Sequence, residues 1–114
     1  MDKTKVLAAF SKLRTKRVTV AGAEYSIRAF SLHEHDEYMD MMISRNVDGA
    51  VKSLSGLRAW LVVHGVADDA GARLFDDADL AVIEAGDSEI MIPLAEAIGQ
   101  YNGVFGDAED TEKN

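Results

Sequence analysis

Residues 17–42 read RVTVAGAEYSIRAFSLHEHDEYMDMM, and two different spacings follow one another within them. The first half alternates: Val18 and Val20 stand on one side of "AGAE", Tyr25 and Ile27 on the other. Alternation over four to eight residues marks a half-buried strand, and Gly22 tolerates the positive φ of a tight turn. The stretch 17–30 is therefore expected to be a two-stranded hairpin. Such a hairpin is marginal alone and has to pack on other elements. In the second half Ser31 stands three residues before Glu34, the S-x-x-E spacing in which side chain and backbone cap each other at a helix start. Leu32, His35, Met39, Met42 and Ile43 then fall on one face at helical spacing, which predicts a helix over 31–46 with that face buried.

The same dozen residues hold two histidines and four acids, a composition that raises metal or acid–base chemistry. On a helix, His33 and His35 are two positions apart and point in different directions. His33 shares a face with Glu37, but two ligands do not make a stable metal site. The acids suit the positive end of the helix dipole instead. The stretch reads as architecture, with His35 partly buried.

Charge is distributed unevenly. The 114-residue chain carries a net −8, yet residues 1–17 hold Lys3, Lys5, Lys12, Arg14, Lys16 and Arg17 against Asp2, a net +5, leaving −13 for the other 97 residues. An acidic body repels phosphate backbones and argues against general nucleic-acid binding. The basic arm has Phe10 as its one aromatic, so it offers no stacking platform. Val6, Leu7, Phe10 and Leu13 recur at helical spacing, predicting a short amphipathic helix within an arm over 1–17. Such an arm suits acidic surface of its own body, a second copy or a partner. No cysteine is present, which fits a reducing cytoplasm and excludes thiolate chemistry. No apolar run reaches the ~20 residues of a membrane span, and the N-terminus lacks the apolar region of a secretory signal.

Beyond residue 46 the spacing of Val51, Leu54, Leu57, Leu61 and Val62 predicts a helix over about 48–67, with "AWLVVHGVA" apolar nearly all round and hence central. Gly65 inside it permits close packing or marks fraying. Trp60 and His64 are expected to be structural, the first buried in the core. In "VADDAGARLFDDADLAVIEAGDSEI", Asp68, Asp69, Asp76, Asp77 and Asp79 invite a calcium reading, but the glycine comes too early and "RLF" interrupts the ligands. "DDAG" reads as a turn, "RLF" as a short extended piece, and Asp76 or Asp77 as the cap of a helix over 77–85. A last helix over 88–102 carries Ile90, Leu94, Ala97, Ile98 and Tyr101. Pro93 kinks it or marks its true first turn, and Asn102-Gly103 stops it. Residues 106–114 read as a disordered acidic tail.

No G-x-S-x-G, Walker lysine loop or H-E-x-x-H is present, so the chain is not expected to be an enzyme or to hold a metal or cofactor. The residues alone give a small acidic α+β domain, a hairpin packed on a mainly helical bundle, acting as an interaction module. Over 18–103 the order of strand, turn and strand, then "IRAFSLHEHDEY", a long helix ending "LVVHGVADDAGARLFDDADL", and a last helix ending "IGQYNG" resembles the tail assembly chaperones of long-tailed bacteriophages. The resemblance implies binding of the tape measure protein in the host cytoplasm, keeping it soluble, and recruitment of tail tube subunits through a longer, frameshifted form; the chaperone is absent from the finished virion. Glu112-Lys113-Asn114 can be encoded as GAA AAA AAC, a run on which ribosomes slip.

On the predicted helix 31–46, Met41 lies opposite Leu32, Met39 and Ile43, which places it at the surface. A flexible thioether there suits a partner of varied helical sequence. Met41 and the basic Lys12, Arg14, Lys16 and Arg17 are thus the candidate partner-binding residues. Two rival classes stand beside this: a small homodimeric regulator with a basic arm, and a metal-binding enzyme using His33, His35 and His64.

Overall fold

The sharpest turns are set by pairs of left-handed residues. In the computed structural model, which describes residues 1–51, 54 and 56–105, β1 (Thr15–Val20) and β2 (Ala23–Arg28) pair antiparallel, with Val20 opposite Ala23. Between them Ala21 and Gly22 take φ 52° and 81°. Positive φ at both central residues is the type I′ turn, whose twist matches that of the flanking strands. The strand begins at Thr15, two residues earlier than expected, so Lys16 and Arg17 belong to the hairpin. Ahead of it α1 (Lys3–Ser11) is capped by Asp2, whose carboxylate accepts from the Thr4 amide at 2.9 Å. It ends before Leu13, and none of its residues is buried.

α2 (Leu32–Ser44) starts at the Ser31–Glu34 capping box, both halves of which are formed. The helix expected over 48–67 is not continuous. Asn46–Val47 (β3) and Ala50–Val51 (β4) form a second small hairpin around Asp48 and Gly49, at φ 53° and 83°. Asp-Gly is a type I′ turn pair, and two consecutive left-handed residues cannot continue a right-handed helix. α3 accordingly runs only over Leu57–Gly65, entered through Gly56 at φ 80°. It is central, with Leu57 and every residue from Ala59 to Gly65 buried.

After α3 the chain lies back along the hairpin: the Ala67 amide donates to Ser26 O at 2.8 Å and Leu74 to Val66 O at 3.0 Å. Arg73 bridges Ala67, so "RLF" starts extended, and the chain bends at Leu74. Asp68 accepts from the amides of Ala70 and Ala72, both at 2.9 Å, which assigns this acid to a turn. Asp76 caps a 3₁₀ turn (Asp77–Asp79) that leads into α4 (Leu80–Glu84). α5 (Ser88–Tyr101) is capped by Asp87 and contains Pro93 in its interior, not in its first turn.

The molecule is an α+β fold in which the N-terminal hairpin packs on the helices. Ile27, Tyr38, Leu57, Leu61, Val62, Val63, Leu94 and Ile98 form the inner core. α3 crosses α5 at Gly65, where a Cβ would stand 2.3 Å from Ile98 Cγ2, so the glycine serves close packing. Asn102 ties the hairpin to the end of α5. Its Oδ1 accepts from the Phe30 amide at 2.6 Å, and its Nδ2 donates to Arg28 O at 3.2 Å and Ile98 O at 3.0 Å. The expected tail, 106–114, lies outside the described residues.

Candidate partner-binding surfaces

The orientation of α2 is set by a polar cluster. Arg28, buried at the end of β2, makes a two-pronged contact with Glu34: Nη2 to Oε1 and Nη1 to Oε2, each 3.1 Å. Glu34 Oε1 also accepts from the Ser31 amide at 3.0 Å, and Oε2 lies 3.1 Å from His64 Nδ1. Arg28 in turn donates to the His64 carbonyl. Burial opposes a charge on Glu34, but the bonds from His64, Arg28 and Ser31 outweigh it and hold the carboxyl well below the usual carboxylate range. A charged Glu34 accepts a proton-bearing Nδ1, which leaves His64 Nε2 directed elsewhere, 3.9 Å from Asp77 Oδ1.

That cluster draws the Glu34 side of α2 inward. Tyr38, one turn on, is 2% exposed, and Met41 follows it, half-buried against the core. The expected placement of Met41 at the surface is therefore reversed. The stripe expected to be buried ends in two solvent-facing side chains, Leu32 at 77% and Ile43 at 68% exposure. Met39 and Met42 lie half-buried between them. The reason is energetic: a carboxylate with four bonds from three residues goes inside only where all three are, and α3 supplies one of them, His64. Leu32 and Ile43 are left on the far side of the helix.

Beside this cluster Glu37, Trp60, Val63, His64, Asp77 and Leu80 line a cleft of about 280 Å³. Trp60 donates from Nε1 to Glu37 Oε1 at 3.1 Å and carries His64 stacked on its face, ring centroids 3.9 Å apart. Trp60 is in the core as expected, with one edge on the cleft. No hydroxyl or thiol is among those lining residues. The three histidines do not converge: His33 is exposed beside Glu37 at 3.5 Å, His35 half-buried beside Asp36 at 3.8 Å, and His64 is inside. Among the described residues no group of three or more His, Asp or Glu stands where it could hold a metal ion.

The basic candidates are scattered, not pooled. Lys12 caps the end of α1, Arg14 lies over the Tyr101 ring at 5.1 Å, and Arg17 pairs with Glu24 at 2.9 Å on the exposed hairpin. Lys16 sits opposite Ile27 on β1 with its side chain in solvent. What stands apart is α1 itself, with Leu7 50% and Phe10 72% exposed. Sequence reasoning found its amphipathic spacing but missed the outward turn of the α2 stripe. The signal for the latter was Tyr38 and Met41, at i+4 and i+7 from Glu34. No described helix is long and apolar enough to cross a membrane. Comparison of the chain with protein-family profiles, characterised proteins and solved structures finds no match.

Proposed function

We propose that this chain is a tail assembly chaperone that binds the helical tape measure protein of a long-tailed phage in the host cytoplasm, keeps it soluble, and is left out of the finished virion. A longer, frameshifted form would bring tail tube subunits to the complex. The order of hairpin, α2, acidic turn and last helix over 18–103 supports the reading, with a second hairpin and the nine-residue α3 standing where the resemblance implies one long helix. So does one observation: the outward flank of α2, where Leu32 and Ile43 are exposed and Met39 between them is half-buried against the core. Residues at i, i+7 and i+11 lie along one side of a helix, a line on which a second helix can pack. Solvent-facing Leu and Ile with adaptable Met between them suit a partner of varied apolar sequence.

Co-expression with the tape measure protein encoded beside this gene tests the reading. Its soluble fraction should rise with the wild-type chain and fall back with a Leu32→Asp, Ile43→Asp double variant. A neighbourhood without tape measure and tail tube genes, or a soluble fraction that the chain leaves unchanged, overturns it.

A further inference from the structure

Helix α1 is held by little within one chain beyond its Asp2 cap and the half-buried Val6. It has nine residues, none of them buried, and isolated helices shorter than ~12–15 residues are marginal in water. Leu7 and Phe10 share a face with Lys3, so this face presents apolar groups and a cation together. A helix of this length becomes stable when that face is covered.

The chain also carries the complementary surface. The cleft between α2, α3 and α4 has an apolar floor of Trp60, Val63 and Leu80 and two acids at its rim, Glu37, bonded to Trp60, and the exposed Asp77, which also pairs with Arg73 at 3.2 Å. Charge along the chain divides the same way on a smaller scale: Lys3, Lys5 and Lys12 against Asp2 give +2 over residues 1–12, leaving −10 for the rest. We infer that the chain forms a homodimer by arm exchange: α1 of each copy docks in the Trp60 cleft of the other, Phe10 on the apolar floor and Lys3 toward the acidic rim. A reciprocal exchange closes on itself with twofold symmetry and uses each complementary pair twice. It uses neither the outward stripe of α2 nor any tape measure protein, so its test is separate from that of the chaperone reading.

Sedimentation velocity of the full chain at low salt should give a dimer that dissociates toward monomer near 1 M salt, where charges are screened beyond ~3 Å. Phe10→Asp removes the arm's anchor and Asp77→Lys reverses the rim; both sites are exposed, so the core is untouched. Each variant alone should be monomeric. Their equimolar mixture should regain a dimer, because the intact cleft of the first accepts the intact arm of the second. Trp60, the one tryptophan, should change emission when its cleft is covered. A wild-type monomer, a dimer that survives either substitution, or a mixture that stays monomeric would each overturn arm exchange.

Discussion

Glu34 and His64 lie thirty positions apart in sequence, yet Oε2 of the first stands 3.1 Å from Nδ1 of the second. That contact joins the start of α2 to the end of α3, and Arg28 locks it to the hairpin through two further bonds to the same carboxylate. Three elements are thus held by one side chain whose sequence context announces only a helix cap.

The sign of its pH dependence follows. Glu34 is held well below the usual carboxylate range in the folded chain, while an unfolded Glu titrates near ~4.3. The contribution is complete above that value. Below it the unfolded chain takes up a proton that the folded one does not, so stability falls as the pH drops toward the folded value. Glu34→Gln should cost about 3 kcal/mol at neutral pH, because Arg28 keeps its charge in a buried site, and should flatten the acid limb of a stability–pH curve. Urea titrations at neutral pH and in that acid window measure both effects.

Gly65→Ala tests the crossing of α3 and α5. Helix propensity alone would favour alanine by ~1 kcal/mol. Here the added methyl meets Ile98, and overpacking costs ~1–3 kcal/mol. The net result should be a lower thermal midpoint. Because Ile98→Ala removes the clashing side chain at its own core cost of ~2–5 kcal/mol, the double variant should lose less than the two single losses added together. A stabilised Gly65→Ala chain would mean that the crossing yields.

At the hairpin turn, Ala21 holds φ 52° without a glycine's freedom. A left-handed alanine costs ~1–2 kcal/mol, and asparagine tolerates the conformation better. Ala21→Asn should raise stability by about 0.5–1 kcal/mol, read as a shift in the denaturation midpoint with unchanged slope.

The first hairpin, the capping box at Ser31 and the last helix were legible because each is fixed by local chemistry within a few residues. The second hairpin was equally local, and Asp48-Gly49 carried its signal, but the apolar spacing of Val51, Leu54 and Leu57 suggested a helix through it. Turn chemistry overrides periodicity there because φ is a hard limit and spacing is not. The inward face of α2 was not legible from spacing alone. Leu32, Met39 and Ile43 make a good stripe, and so do Tyr38 and Met41; what decides between them is Glu34, whose partners Arg28 and His64 come from other elements. The clamp by Asn102 is of the same kind, a helix stop in sequence and a link to Phe30 in space.

That choice of face gives the last prediction. Met41 packs with Tyr38 against the core, whereas Leu32 and Ile43 project into solvent. Met41→Glu should therefore destabilise the fold by ~2 kcal/mol, since a carboxylate placed there loses water and gives up the thioether's apolar packing on the core. Leu32→Asp and Ile43→Asp, remote from the core, should each stay within ~0.5 kcal/mol of wild type. Binding should divide the opposite way. If the stripe is the docking line for a helical partner, the two surface variants lose complex formation while keeping the native melting curve. Met41→Ala should melt earlier and still bind below its transition. Chemical denaturation of all four variants, paired with pull-down of the tape measure protein, separates the two faces. Loss of binding in Met41→Ala at a temperature where it is fully folded would move the docking surface to the inner side of α2 and remove Leu32 and Ile43 from it.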